Sequence, residues 1–283
     1  MRLANLQGRA VLVRHDGAID IERASDRRYG PNPQSLFEHW DEFRDWERGA
    51  TGDVFDVDGA LLEAPVPSPR QILAVGFNYL DHADEADTEI PRHPQIFAKF
   101  PSSLTGPQAT VHLAGSEFVD WEVELVVAIS RRARSVQVDT AWDHVAGLTV
   151  GQDLSDRKLQ MRKPAPAQYS LGKSRPGFAP IGPHLVTLDE LDDPGDLEIG
   201  CSIGGEQLQL SRTSKMLFSV PELVSRLSAI LPLLPGDLIF TGTPGGIGGL
   251  RTPPRFLQPG EVLTSSIGQI GTMRTTLAAG HAM

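Results

Sequence analysis

Glu122 and Glu124 stand two positions apart in the run Val119-Asp120-Trp121-Glu122-Val123-Glu124-Leu125-Val126-Val127, an apolar alternating stretch interrupted by acids. Side chains two apart on a β-strand share one face, so both carboxylates should project together while Trp121, Val123 and Leu125 pack the other way. Two such carboxylates repel, and burial without a partner costs each of them several kcal/mol. They need protons, basic partners or a cation, unless this is an edge strand with a wet acidic face. Asp153 offers a third acid. It follows the apolar run Val145-Ala146-Gly147-Leu148-Thr149-Val150 and opens the polar segment Asp153-Leu154-Ser155-Asp156-Arg157, a strand-to-loop position where site residues often sit. Three carboxylates with open positions for water and substrate suit Mg2+ or Mn2+, which favour hard oxygen ligands.

Upstream, His82 and Glu85 are three apart, which on one helical turn puts them on one face. A Glu beside a His raises imidazole basicity and fixes its orientation, as a water-activating base requires. The same spacing also describes an ordinary solvated helix face. Lys173, in Leu171-Gly172-Lys173-Ser174, could stabilise an enolate, and Arg157 could pair with a substrate carboxylate, although lone basic residues commonly serve only solubility. Gly172-Lys173-Ser174 lacks the earlier glycine of a phosphate-binding loop, since that position is Ala167. The run Thr241-Gly242-Thr243-Pro244-Gly245-Gly246-Ile247-Gly248-Gly249 leads into Arg251-Thr252-Pro253-Pro254 and not into a helix, so it is no dinucleotide fingerprint. There is no Gly-x-Ser-x-Gly elbow.

These residues need a scaffold, and the 283-residue chain is long enough for one large unit with or without a small one. With 40% apolar and 22% charged residues it reads as globular. A net charge of −10 argues against nucleic acid as a partner. The single cysteine, Cys201, reads as a buried core residue, and a reducing cytoplasm is the expected compartment. No signal segment is seen and no stretch approaches the roughly eighteen apolar residues that span a bilayer, so no membrane association is expected. Two short runs flank Asp16-Gly17 as in a hairpin, and residues 33–48 place Leu36, Phe37, Trp40, Phe43 and Trp46 at helical intervals, which predicts one amphipathic helix. Pro65, Pro67 and Pro69 mark a boundary between a small N-terminal α+β module over 1–68 and a body over 69–283. In that body short β-like runs dominate, at 71–75, 95–99, 119–129, 184–187, 197–203, 237–240 and 261–267, with the clearest helix at 220–231 behind Ser219. The fold class is β-rich α+β.

Taken in this order, the segments resemble the fumarylacetoacetate hydrolase family. The matching stretches are 75–85, 94–99, 119–129, 145–160, 171–182, 213–220 and 234–246, followed by Ile270-Gly271-Thr272-Met273-Arg274. The resemblance implies a mixed β-sandwich, partly barrel-like catalytic domain and a homodimer. It implies that Glu122, Glu124 and Asp153 bind Mg2+ or Mn2+, that His82 and Glu85 form a water-activating dyad, and that Lys173 steadies the developing enolate. Arg157, Gln160 and Thr243 match positions that contact the substrate carboxylate and oxo oxygen.

The expected partner is a small 2-oxo acid, chelated by the cation through its carboxylate and oxo groups. The leading expectation is a hydrolase that cleaves a carbon–carbon bond in an acylpyruvate or related 2,4-dioxo acid. The runner-up is a 2-oxo acid decarboxylase of the oxaloacetate type, or a hydratase or isomerase, since all of these share the enolate. A non-catalytic ligand-binding protein that keeps the fold is the alternative from another class.

Overall fold

Alternating apolar strands find their place between two layers, and the strand Val123–Ile129 shows how. It pairs antiparallel with Val145–Gln152 on one side and Leu238–Phe240 on the other, and every residue of the first two strands is buried. Its odd-numbered side chains Val123, Leu125, Val127 and Ile129 join one core with Ile199, Leu263, Met273 and helix residues Leu223, Val224 and Leu227. Its even-numbered side chains Val126 and Ala128 join a second core with Phe37, Trp40 and Phe43. The period-two pattern thus sorts the strand between two packed faces.

The protein is described here by a computed structural model covering residues 1–85, 90–113, 115–164 and 166–280, except for the side chains of residues 82–84. Its main element is a 12-stranded mixed sheet whose centre runs Ala179–Val186, Val145–Gln152, Val123–Ile129, Leu238–Phe240, Ile72–Gly76 and Gln95–Ala98. The N-terminal strands Arg2–Leu6, Arg9–Arg14 and Gly17–Asp20 lie in the same sheet, with Arg2–Leu6 antiparallel to Ala179–Val186. A five-stranded sheet, with Glu198–Ile203 between Glu206–Arg212 and Val262–Ile267, contributes the opposing apolar layer. The result is the β-rich α+β sandwich expected from the sequence; among the described residues no sheet closes into a barrel. No described helix is long and apolar enough to cross a membrane.

Two local expectations change. Residues 33–48 form a 3-10 helix, Pro33–His39, followed by an α-helix, Trp40–Glu47, and not one continuous helix. The backbone of His39 at φ −132° breaks the helical path between them. The aromatic face survives, because Phe37, Trp40, Phe43 and Trp46 pack in sequence with centroids 5.0, 5.8 and 5.9 Å apart. The run 119–129 also divides, into Val119–Asp120 and Val123–Ile129, so that Trp121 and Glu122 occupy the break. The helix Val220–Ile230 starts as its sequence suggests, with Glu222 Oε2 accepting from the Ser219 amide at 2.9 Å.

His184, on Ala179–Val186, gives the fold a pH dependence. Burial, reinforced by Arg2, pushes its imidazole from 6.5 to about 4. The unfolded chain therefore takes up a proton that the folded chain refuses between those values. The corresponding stability is complete above pH 6.5 and is lost as pH falls toward 4. His184→Gln is expected to flatten the acid limb of urea-unfolding stability by on the order of 3 kcal/mol; an unchanged slope would show that other groups set it.

Candidate metal centre

Antiparallel register brings the three acids together. Val123 pairs with Gln152, so the residues just beyond that pair, Glu122 and Asp153, also face each other, and the Asp153 amide donates to the Glu122 carbonyl at 2.9 Å. Glu124 follows one residue inside the strand. Ligand oxygens of Glu122, Glu124 and Asp153 all lie within 4.8 Å of one another, and the three residues are buried.

Lys173, at the C-cap of the short helix Tyr169–Gly172, places Nζ 2.6 Å from Glu122 Oε2 and 2.7 Å from Asp153 Oδ2. Arg157 Nη2 lies 2.7 Å from Glu122 Oε1 and 2.8 Å from Asp120 Oδ2, and Arg157 Nη1 donates to Gln160 Oε1 at 3.0 Å. Neither base is a surface solubiliser. Burial opposes charge on Lys173, but Asp153 and Glu122 outweigh it and hold the ammonium above its usual range. Glu124 shows the reverse: burial first, then repulsion from Asp153 and Glu122, pushes its carboxyl well above the usual carboxylate range, against the pull of Lys173 and the Gly242 amide.

A sequence reading for site residues misses Lys99 and Asp120. Lys99 is fully buried, with Nζ 2.5 Å from Asp153 Oδ1 and a further hydrogen bond to the Lys173 carbonyl. Its signal is weak, since a lysine closing the apolar run 95–99 reads as a surface residue. Asp120 did carry a signal, for it precedes Glu122 by two in the alternating run. The glycine-rich run 241–249 turns out to be an acid clamp. The amides of Gly248 and Gly249 donate to Asp120 at 2.7 and 2.9 Å, that of Gly242 to Glu124 at 2.8 Å, and that of Gly246 to Glu85 at 2.9 Å. Gly248 admits no side chain, because a Cβ there would collide with the Arg255 carbonyl and the Asp120 carboxylate.

Leu80–Glu85 is helical and Glu85 reaches Gly246; the expected partner in the dyad, the His82 side chain, lies outside the described residues. Glu122, Arg157, Gln160, Lys173 and Thr243 line one cavity of about 320 Å3. Thr243 contributes less than its hydroxyl suggests, since that group donates to the Val123 carbonyl at 2.9 Å and accepts from Gln209 at 2.8 Å. Its proton is committed to the fold.

The donor set fits a hard divalent cation. Four buried carboxylates, Asp120, Glu122, Glu124 and Asp153, meet three buried or half-buried cations, Lys99, Lys173 and Arg157, so without a further cation the charges balance only when one acid is protonated. Glu124, raised first by burial and then by its neighbouring acids, is the carboxyl that a divalent cation would hold ionised.

Lys99→Met tests how much of the site's order depends on that buried ammonium. It strips Asp153 of one partner, and breaking a buried pair typically costs about 3–5 kcal/mol. A lowered melting temperature of corresponding size is expected, and a change under about 1 kcal/mol would show that Lys99 is dispensable.

The sequence profile of the fumarylacetoacetate (FAA) hydrolase C-terminal family matches residues 71–278. The chain belongs to the fumarylacetoacetate hydrolase family. Among its relatives, the mitochondrial oxaloacetate tautomerase FAHD2A of Bos taurus is 43% identical over 211 residues, 74% of this chain and 67% of the relative. A crystal structure of a Mycobacterium smegmatis protein matches with a TM-score of 0.95 and 51% identity, over 99% of this chain and 100% of that one. The maleylpyruvate hydrolase of Sphingobium sp. SYK-6, solved with manganese(II) and pyruvate, matches with a TM-score of 0.79 and 27% identity over 99% and 100% of the two chains. The protein is thus a family enzyme. The relatives side with the runner-up expectation more than with carbon–carbon hydrolysis, because the curated relative that is 43% identical is a tautomerase.

Proposed function

We propose that this protein interconverts the enol and keto forms of a 2-oxo acid. The observation that carries the reading is the Lys173 ammonium, held inside the carboxylate cluster at the cavity lined by Arg157 and Gln160. Resemblance to the oxaloacetate tautomerase supports the choice of reaction. A Mg2+ or Mn2+ ion bound by Glu122, Glu124 and Asp153 would supply electrophilic stabilisation of the substrate's oxo oxygen.

The chain's own residues supply the rest. Lys173 presents a fixed positive charge where negative charge develops as the carbon acid loses its proton, and a preorganised charge at a buried position acts more strongly than one in water. Arg157, whose Nε and Nη2 face Asp120 and Glu122 and whose Nη1 donates to Gln160, would offer positive charge to the substrate carboxylate at the cavity wall. His82, on the helix held to the glycine clamp through Glu85, is the proposed proton carrier to and from the carbon next to the oxo group.

Tautomerisation asks only for this proton transfer, whereas hydrolysis also needs a directed water. The enzyme with Mn2+ is expected to accelerate enol–keto interconversion of oxaloacetate or phenylpyruvate at least about tenfold more than it cleaves acetylpyruvate or fumarylpyruvate or releases carbon dioxide from oxaloacetate. Ultraviolet loss of the enol, with product analysis, reads all three. Faster acylpyruvate cleavage would return the assignment to hydrolase, and faster carbon dioxide release would make it a decarboxylase.

A further inference from the structure

The cavity beside the metal centre is not uniformly polar. Apart from Glu122, Arg157, Gln160, Lys173, Thr243 and Gln95, its lining includes Phe77, Phe97, Tyr169, Ile247, Leu250 and Phe256. The apolar part begins at the reacting end: Lys173 Nζ lies 5.2 Å from the centre of the Phe97 ring, and Phe97 packs against Tyr169 at 5.7 Å. It continues to the surface, where Leu250 is 41% exposed and Phe256 packs edge-on against Phe118 at 5.4 Å. Phe77 lines this cavity from a backbone at φ 52°, a left-handed conformation that a bulky residue rarely adopts. Strain of that kind persists at a cavity wall where the side chain's position matters to a ligand.

Charge is distributed just as unevenly. Among the described residues that line the cavity, the cations are Arg157 and Lys173, and both already face carboxylates. Arg251 and Arg255 lie over the Trp121 ring and pair with Glu206 and Glu261. Lys158 lies over Phe118 and lines a different cavity. A substrate's second carboxylate would leave water to meet aromatic rings, whereas an apolar tail would gain from the same move.

We infer that this chamber receives a carbon-rich, aromatic tail on the 2-oxo acid in preference to a second carboxylate, with Phe77 and Phe256 as the specificity-determining side chains. The inference rests on the 2-oxo acid reading and narrows its substrate class. Placing a phenyl group between such rings strengthens binding of the whole ligand without altering its chelating end.

Calorimetric titration of the full-length protein with Mn2+ tests this, using oxalate, pyruvate, phenylpyruvate and 2-oxoglutarate as probes. Phenylpyruvate is expected to bind at least about tenfold more tightly than pyruvate, and 2-oxoglutarate no more tightly than pyruvate. Phe77→Ala and Phe256→Ala should each shrink the phenylpyruvate-to-pyruvate affinity ratio by about three- to tenfold, with melting curves confirming that the variants fold. Should Phe77→Ala not fold, Phe256→Ala alone decides. Tightest binding by 2-oxoglutarate, or a ratio unchanged in the folded variants, overturns the inference while leaving the 2-oxo acid reading intact. Failure of oxalate and pyruvate themselves to bind overturns that reading instead.

Discussion

Lys173→Met is expected to lower turnover of any 2-oxo acid substrate about 100- to 1,000-fold, the range for removing one group aimed at developing negative charge. The same substitution should tighten Mn2+ binding. Lys173 Nζ occupies Glu122 Oε2 and Asp153 Oδ2 at 2.6 and 2.7 Å, so the ammonium competes electrostatically with any cation held by those oxygens. A purely structural lysine would give a different pattern, with activity and cation affinity falling together. The variant should also melt at a lower temperature without metal, because two buried carboxylates lose a partner, and Mn2+ should recover much of that loss. Single-turnover kinetics beside calorimetry separates the two effects. Weaker Mn2+ binding in Lys173→Met would contradict the assigned geometry.

Glu124→Gln is expected to do the opposite. Burial and the neighbouring acids already drive the Glu124 carboxyl toward its protonated form, so a neutral amide of similar shape relieves repulsion and can still accept from the Gly242 amide. Stability without metal should be kept or raised. Cation affinity should fall by at least about 100-fold, since even groups that only orient a metal ligand are worth up to that much. Melting curves with and without Mn2+ read both quantities together. A fold that collapses in Glu124→Gln, or a metal-induced shift equal to that of the parent, would remove Glu124 from the ligand set.

The two variants draw on different kinds of sequence signal. Alternation around Glu122 and Glu124, and the placement of Asp153 after a buried strand, were legible because both are local and periodic. The strand break at Trp121 and Glu122 was not, since it arises from neighbours in space: Asp120 is pulled into the Gly248 and Gly249 amides, and Trp121 turns under Arg251 and Arg255. Lys99 carries no local signal for the same reason, as its partner Asp153 is 54 residues away. The glycine-rich run matches no nucleotide motif, and its use, donating amides to acids far upstream, appears only in the folded chain. The 3-10 turn over Pro33–His39 keeps the aromatic spacing that suggests a single helix, because three residues per turn bring positions three apart into line and Phe37 still stacks on Trp40. The choice between hydrolase and tautomerase was not legible at all: both reactions use the same acids, lysine and arginine, and differ in whether water is delivered.

All of this depends on Glu122, Glu124 and Asp153 sharing one cation to which the 2-oxo acid binds. The most direct measurement is a titration of metal-free protein with Mn2+ followed by electron paramagnetic resonance, with and without oxalate. One saturable Mn2+ per chain is expected, with an oxalate-dependent change in its spectrum and loss of that binding in Asp153→Asn. Mn2+ that binds equally well to Asp153→Asn, or oxalate that leaves the bound-ion spectrum unchanged, would contradict it.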